Sequence, residues 1–292
     1  MRTTVVIATR NRCGELLRTL DRLHRLRPVP PIVVVDNASR DDTPRAVRAA
    51  HPDVRLITAP RNLGAIARNL GVLCSRTPYI AFSDDDSWWA PGALRRAEAV
   101  LDACPHVALV AAKTLVSQEN RPDPVNALMA CSPLRTADGL PGPRILGFTA
   151  CAAVVRRAAF QQTRGFDRTV FFGGEERLLS YDLAAAGWDL VYVDDVVAHH
   201  HPSPARTSAT TRRALELRND VLIAWMRRPP DLALSRTGRL ARDAVGDAPS
   251  RRALAAALCR LPRALARRRR LPSPVEHEVS LLEHAHGHGP GS

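Results

Sequence analysis

Up to Asp86, apolar residues alternate between short unbroken blocks and longer stretches in which they recur every three or four positions. Thr3 to Thr9 is a β-branched block of the kind a parallel strand buried on both faces needs, and it stops at Arg10-Asn11-Arg12. Leu16, Leu17, Leu20, Leu23 and Leu26 follow at helical spacing until Pro28, Pro30 and Pro31 end the run. Ile32 to Val35 is a second block, closed by Asp36-Asn37-Ala38-Ser39, and Asp41-Asp42-Thr43-Pro44 reads as a helix start with acids in the first turn. Val54 to Thr58, Leu63 to Cys74 and Tyr79 to Ser83 continue as strand, helix and strand. This α/β alternation predicts right-handed βαβ units, with a mainly parallel central sheet flanked by helices and ligands at the carboxyl ends of the strands. Thr9-Arg10-Asn11, Asp36-Asn37 and Asp84-Asp85-Asp86 each follow a strand directly, so one rim collects all three.

Beyond Pro91 a helix to about Ala103 carries Leu94, Ala97 and Leu101 on one stripe, and His106 to Ala112 reads as a fifth strand. From Lys113 to Arg144 the pattern fails among Pro122, Pro124, Pro133, Pro141 and Pro143, which predicts an acceptor-side loop or lid. Gly147 to Val155 is an apolar strand, followed by a short helix to Gln162. Phe171-Phe172-Gly173-Gly174 then leads into Glu175-Glu176 and a helix ending at Gly187. Acids in a first helical turn are favourable against the dipole, while the two glycines ahead of them point to close approach of backbone to a ligand. After the strand Leu190 to Val193 come His199-His200-His201, of which at most one or two can face one ion.

Ala214, Leu217, Val221, Ala224 and Trp225 predict a helix over residues 207–228 packed on the domain. Leu254, Leu258, Leu261 and Leu265 repeat that pattern, broken by Pro262, and the stretch closes with Arg267 to Arg270. The expected organisation is a catalytic domain over residues 1–204, a basic helical extension over 205–270 and a disordered tail over 271–292, where His284, His286 and His288 lie among glycine and proline.

The acidic triplet carries the clearest chemistry. Carboxylates crowded at the end of a buried strand repel one another unless a cation or a set of donors neutralises them. In extended chain Asp84 and Asp86 point one way and Asp85 the other, which offers two oxygen ligands to one hard divalent ion and leaves Asp85 to support the loop from behind. The competing reading is a surface turn rich in Asp and Ser.

Composition narrows the partners. The chain is 45% hydrophobic and 24% charged, as a globular protein is, and no stretch is apolar enough for a membrane span or a signal-peptide core, so a cytoplasmic protein is expected. Six cysteines are scattered without a Cys-x-x-Cys pair, against a zinc ribbon or a disulfide framework. The net charge of +13 is concentrated between Ala205 and Arg270, which hold 17 arginines and five acids. That segment invites an anionic membrane surface on the inner face, whereas nucleic acid is disfavoured because interleaved aromatics and a recognition motif are lacking.

With these residues laid out, the chain resembles the family 2 inverting glycosyltransferases. The likeness rests on Val6-Ile7-Ala8-Thr9-Arg10-Asn11-Arg12; on Val33-Val34-Val35-Asp36-Asn37-Ala38-Ser39 with Asp42-Thr43; on Arg61-Asn62-Leu63-Gly64 with Arg68, Asn69 and Gly71; on Phe82 to Asp86 with Trp88; and on Gly173-Gly174-Glu175-Glu176 with Gly187. It covers roughly residues 3–204, and the pair Arg218-Asn219 is also similar to a feature of many members.

The resemblance implies a GT-A (nucleotide-diphospho-sugar transferase) fold and transfer of a hexosyl or deoxyhexosyl group from a nucleotide-diphosphate donor to a hydroxyl acceptor, whether glycan, lipid-linked or small-molecule, in cell-envelope or natural-product glycosylation. On it, Thr9, Arg10, Asp36, Asn37, Arg68, Asp84 and Asp85 form the donor-binding set. Asp86 with Asp84 would hold Mg²⁺ or Mn²⁺, and one of the histidines, first His200, would complete the site. Glu176 would be the base that takes the acceptor proton, with Glu175 the alternative. The sequence departs from the family pattern at Glu176, where Asp is usual, at Leu178, where a further Asp is common, and at Asp182, where Arg is common. Those departures motivate a rival reading as a nucleotide-sugar-binding protein with little turnover, and the basic segment motivates another as a nucleic-acid- or membrane-binding protein.

Overall fold

The computed structural model describes residues 1–136, 138–203 and 208–287. Its first half is built as the apolar blocks dictate. β1 (Thr3–Thr9), β2 (Ile32–Asp36), β3 (Arg55–Thr58) and β4 (Tyr79–Ser83) are joined through α1 (Cys13–His24), α2 (Thr43–Ala50) and α3 (Ala67–Leu73). β1 pairs in parallel with both β2 and β4, and β2 with β3. Alternate residues of one strand enter different cores: Val5 and Ile7 pack with Leu16, Leu20 and Leu23 of α1, whereas Val6 packs with Val33, Phe82 and Val72 on the other face. Burial on both faces is why these strands read as continuous apolar runs.

The second half turns the sheet mixed. β5 (Ser87–Trp89) leaves the acidic triplet at once, and α4 (Ala93–Ala103) leads to β6 (Val107–Val116). β7 (Arg121–Pro122), α5 (Pro124–Ala130), β8 (Ala153–Arg156), α6 (Arg157–Gln162), α7 (Glu175–Ala185) and β9 (Asp189–His200) follow. The hydrogen-bonded order is β3-β2-β1-β4-β8-β6-β9-β5. β8 lies antiparallel between β4 and β6, β9 is parallel to β6, and β5 is antiparallel to β9. The expected parallel arrangement therefore holds for β1 to β4, and a short apolar run such as Val154-Val155 carries no sign of its direction.

The stretch expected as a loop from Lys113 to Arg144 is partly regular. Lys113 to Val116 continue β6 because Val197 to His200 of β9 pair with them. Asp123 caps α5 by accepting from the Val125 N–H at 2.9 Å, and the Asn126 amide serves the Thr114 backbone N–H and carbonyl at 2.9 and 2.8 Å.

α8 (Ala209–Arg227), α9 (Pro230–Asp243) and α10 (Ala248–Ala266) form the C-terminal helical extension. α10 runs through Pro262, which leaves the Leu258 carbonyl without its helical N–H donor. The disorder expected over residues 271–292 is corrected for most of that stretch: α11 (Ser273–Gly287) buries Val275 and Val279 against Leu222 and Met226 of α8. Glu276 pairs with Arg228 at 2.9 Å and Glu278 with Arg144 at 2.7 Å, so charge as well as packing holds the helix. Residues 288–292 and the 204/205 boundary lie outside the described residues. Among the described residues all six cysteines are free, and no helix is long and apolar enough to cross a membrane.

Candidate active site

The acidic triplet is a tight turn, not extended chain. The Asp84 N–H donates to Ser87 Oγ at 2.7 Å and the Ser87 N–H returns to the Asp84 carbonyl at 3.2 Å, which swings β4 into β5. The alternation expected for the three side chains is thereby lost. All three line one cavity of about 370 Å³ with Arg12, Arg68, His200 and Arg212. Asp85 is nonetheless the most enclosed, accepting from the Thr9 hydroxyl at 3.0 Å, while its backbone carbonyl accepts from the Thr19 hydroxyl at 2.8 Å. Burial lifts it to about 7 against the pull of Arg12, with Asp84 and Asp86 adding to the rise.

Cations from two other elements neutralise the turn. Arg12, at the start of α1, puts Nη1 3.7 Å from Asp85 and 3.6 Å from Asp86. Arg68 of α3, buried at 5% exposure, holds Asp84 at 2.5 Å and stands 3.8 Å from Glu175. Burial opposes the Arg68 charge, yet Asp84, Glu175 and Glu176 together raise its pKa.

The three histidines separate because β9 alternates. His199 stacks on Trp88 at 5.3 Å and His201 meets the same ring edge-on at 4.5 Å, whereas His200 points the other way and sets Nε2 3.3 Å from Asp86 Oδ1. The Ser203 N–H donates to the second Asp86 oxygen at 3.0 Å. Burial works against this carboxylate, but His200, Ser203 and Arg12 outweigh it and hold Asp86 below the ordinary range.

The other expected donor residues serve the rim differently. Asp36 is fully buried and both its oxygens accept from the Ser39 N–H at 3.3 Å. The Asn37 amide accepts from the Leu63 N–H at 2.7 Å and donates to the Gly64 carbonyl at 3.2 Å, so it ties down the loop before α3. Arg10 is exposed. These three stand on the expected rim but do not line the triplet cavity, whereas Ala8 and Arg12 do.

The segment before α7 is fixed from two sides. Gly64 has φ +64° and the Ala65 N–H donates to the Phe171 carbonyl at 2.7 Å; a Cβ on Gly64 would lie 2.4 Å from that carbonyl. From α8, Arg218 donates to the Val170 carbonyl at 2.6 Å, and the Asn219 amide donates to the carbonyls of Phe172, at 2.8 Å, and Gly173. Burial pulls Arg218 down to about 10, with Arg260 contributing.

That clamp aims the two glutamates apart. Glu175 is 2% exposed and turns inward to Arg68, and burial, reinforced by Glu176 and opposed by Arg68, lifts it to about 8. Glu176 is only partly buried and lines a second cavity of about 500 Å³ with Gly147, Phe148, Gly174, Arg213 and Glu216. Burial raises its pKa too, with Arg68 opposing and Asp84 adding, so Glu176 stands within the field of the triplet while facing separate space. Asp182, where the family commonly has Arg, bonds Arg227 of α8, at 2.5 and 2.9 Å, so the departure there is a structural ion pair.

Two basic residues outside the expected set line the triplet cavity, Arg12 just ahead of α1 and Arg212 of α8. A basic residue directly after β1 was the available signal for Arg12; Arg212 had none, since only folding brings α8 over the rim. Hard carboxylate oxygens on Asp84 and Asp86 with an imidazole beside them are a donor set that fits Mg²⁺ or Mn²⁺.

Comparison with known proteins agrees with this geometry. The family model for glycosyl transferase family 2 matches residues 4–164. A pre-mycofactocin glycosyltransferase of Mycobacterium tuberculosis is 34% identical over 216 residues, spanning 70% of this chain and 43% of that protein. The N-acetylglucosaminyl-diphospho-decaprenol L-rhamnosyltransferase of the same organism is 29% identical over 210 residues, spanning 60% of this chain and 67% of that protein. In fold, the chain is similar to the mannosyltransferase PcManGT of Pyrobaculum calidifontis, solved with GDP-Man and Mn²⁺, at a TM-score of 0.59 and 21% identity over 99% of this chain and 81% of that one. It is also similar to residues 1–349 of S. aureus TarS, at a TM-score of 0.60 and 17% identity over 98% and 87%. Because the matched segment runs from β1 through α6 and so contains the whole triplet turn with both of its arginines, the chain belongs to glycosyl transferase family 2 and has the GT-A fold.

Proposed function

We propose that this enzyme moves a sugar from a nucleotide-diphosphate donor to a hydroxyl acceptor with inversion, with Glu176 as the general base. The observation that carries the proposal is the division of the two glutamates: Glu175 is committed to Arg68, whereas Glu176 faces the cavity beside Phe148 and Arg213. An acceptor in that cavity would present its hydroxyl to Glu176 from the side opposite a diphosphate held at the triplet. The raised pKa of Glu176 suits a group that must gain a proton during transfer. Asp86, with His200 and Asp84, would hold a divalent cation, which when bound screens the carboxylates and stabilises charge growing on the departing nucleoside diphosphate. Arg68 and Arg12 orient the carboxylates around that position. The donor complexes of the structural neighbours, GDP-Man in PcManGT and UDP-GlcNAc in TarS, support a nucleotide-sugar donor. Glu176→Gln is expected to lower turnover by roughly 10²- to 10⁴-fold with donor affinity retained, and near-normal turnover would remove Glu176 as the base.

The helical extension supports contact with an anionic membrane surface, which suits a lipid-linked acceptor. Leu234, Leu258, Leu265 and Val245 are exposed among Arg239, Arg242, Arg251, Arg252 and Arg263. Exposed arginines add about 1 kcal/mol each at such a surface. In contrast, Arg218, Arg227, Arg228 and Arg268 are spent on internal bonds, which thins the charge a nucleic acid could use. Leu258→Glu with Leu265→Glu should abolish flotation with phosphatidylserine vesicles. Equal flotation of variant and wild type removes the membrane reading and leaves the transfer reaction untouched.

A further inference from the structure

A second cluster of metal-ligating side chains stands away from the triplet. α1 returns from the carboxyl rim to the start of β2, so its last residue, His24, lies at the opposite rim. There it meets His51 and Asp53, in the turn between α2 and β3, and ligand atoms of the three lie within 4.8 Å of one another. From this arrangement we propose a zinc-binding site formed by His24, His51 and Asp53.

The site carries the orienting bonds such a centre needs. His24 Nδ1 is 2.8 Å from the Leu20 carbonyl, an acceptor only, so Nδ1 donates there and Nε2 is the nitrogen a metal would take. Nε2 donates to Asp53 Oδ2 at 2.8 Å, and a bound metal would replace that proton between the two ligands, releasing it to solvent. His51 stacks on His24 with ring centroids 4.9 Å apart, and its Nε2 is 3.4 Å from Asp21 Oδ1, an outer carboxylate of the kind that fixes ligating imidazoles. Ligands bound at about 2.0–2.1 Å stand roughly 3–3.5 Å apart around a tetrahedral ion, so modest side-chain rotation brings the third donor in. Two imidazoles with one carboxylate favour Zn²⁺, whereas at the triplet two carboxylates outnumber the single imidazole and suit harder ions. A bound ion would join α1 to the turn before β3, adding to the His24–Asp53 and His51–Asp21 pairs that tie them there.

The test is calorimetric titration of ZnCl₂ at pH 7.5 into the full chain and into His24→Gln, His51→Gln and Asp53→Asn, with Co²⁺ absorption as a second readout. The expected result is one more high-affinity equivalent in the wild type than in any variant, a drop of at least about tenfold in affinity at that site, and Co²⁺ bands without a thiolate component. Asp53 is 64% exposed on its side chain, so Asp53→Asn reports binding even if the buried His51 variant folds poorly. Manganese-dependent transfer should be unchanged in all of them. Equal stoichiometry and affinity in the wild type and Asp53→Asn would overturn the site.

Discussion

Replacing Glu175 by glutamine tests the electrostatics at the root of α7. One Glu175 oxygen is buried without a hydrogen-bond partner, and Arg68 stands 3.8 Å from the other. Burial first, then Glu176, lifts the group from its ordinary 4.5 to about 8 in the folded protein, against the opposing pull of Arg68. Between those two values the folded chain holds a proton that the unfolded chain has released. Stability therefore falls as pH rises through the window, by at most about 1.4 kcal/mol per pH unit and roughly 4 to 5 kcal/mol over the whole span. Glutamine keeps the shape without a charge to bury, and Arg68 keeps its closer partner Asp84 at 2.5 Å. Urea unfolding across the range from pH 5 to pH 8 should find wild type and Glu175→Gln nearly equal at the acid end, with the variant gaining progressively toward the alkaline end. A stability difference that stays flat across the range would mean that Arg68 keeps Glu175 ionised throughout, and the argument from burial would fail.

His200→Ala should raise the Mn²⁺ concentration needed for half-maximal transfer by about 10- to 100-fold while leaving the urea midpoint within about 1 kcal/mol; an unchanged Mn²⁺ dependence would take His200 out of the metal site. Gly64→Ala should cost at least about 1–2 kcal/mol from its left-handed backbone alone and should displace the Phe171 carbonyl, so thermal unfolding at the wild-type temperature would contradict the clamp.

The donor half of the fold was legible because its strands are buried on both faces. Val5, Val6 and Ile7 are all fully enclosed, so the sequence has no polar interruption to hide the strand. β6 and β9 were cut short in the reading because Lys113, Asp194 and Asp195 break the apolar run, although pairing between the two strands carries them on to Val116 and His200. The rim of Thr9, Asp36 and Asp84 followed from topology, whereas His200 was singled out by the family resemblance alone, because alternation along a strand separates the three histidines without saying which side faces the triplet. The orientation of the triplet did not, because whether three aspartates extend or turn depends on Ser87 and on cations delivered by distant helices. The histidine- and glycine-rich end masks α11 in the sequence, although Val275 and Val279, one helical turn apart, are the signal for a packed face.

Arg12 and Arg68 change what the resting enzyme needs. With guanidinium groups against Asp84, Asp85 and Asp86, the turn carries its own counter-charge, so its stability does not require a divalent ion. Chelation should then stop transfer without unfolding the chain, unlike a structural zinc domain, where metal and fold are lost together. On the proposed reaction, an arriving metal and diphosphate would enter as a nearly balanced pair of charges into a site that is already balanced. The energetic work of donor binding becomes an exchange of partners among fixed groups, and ordered binding of metal with donor, rather than metal alone, is the kinetic signature such an exchange leaves.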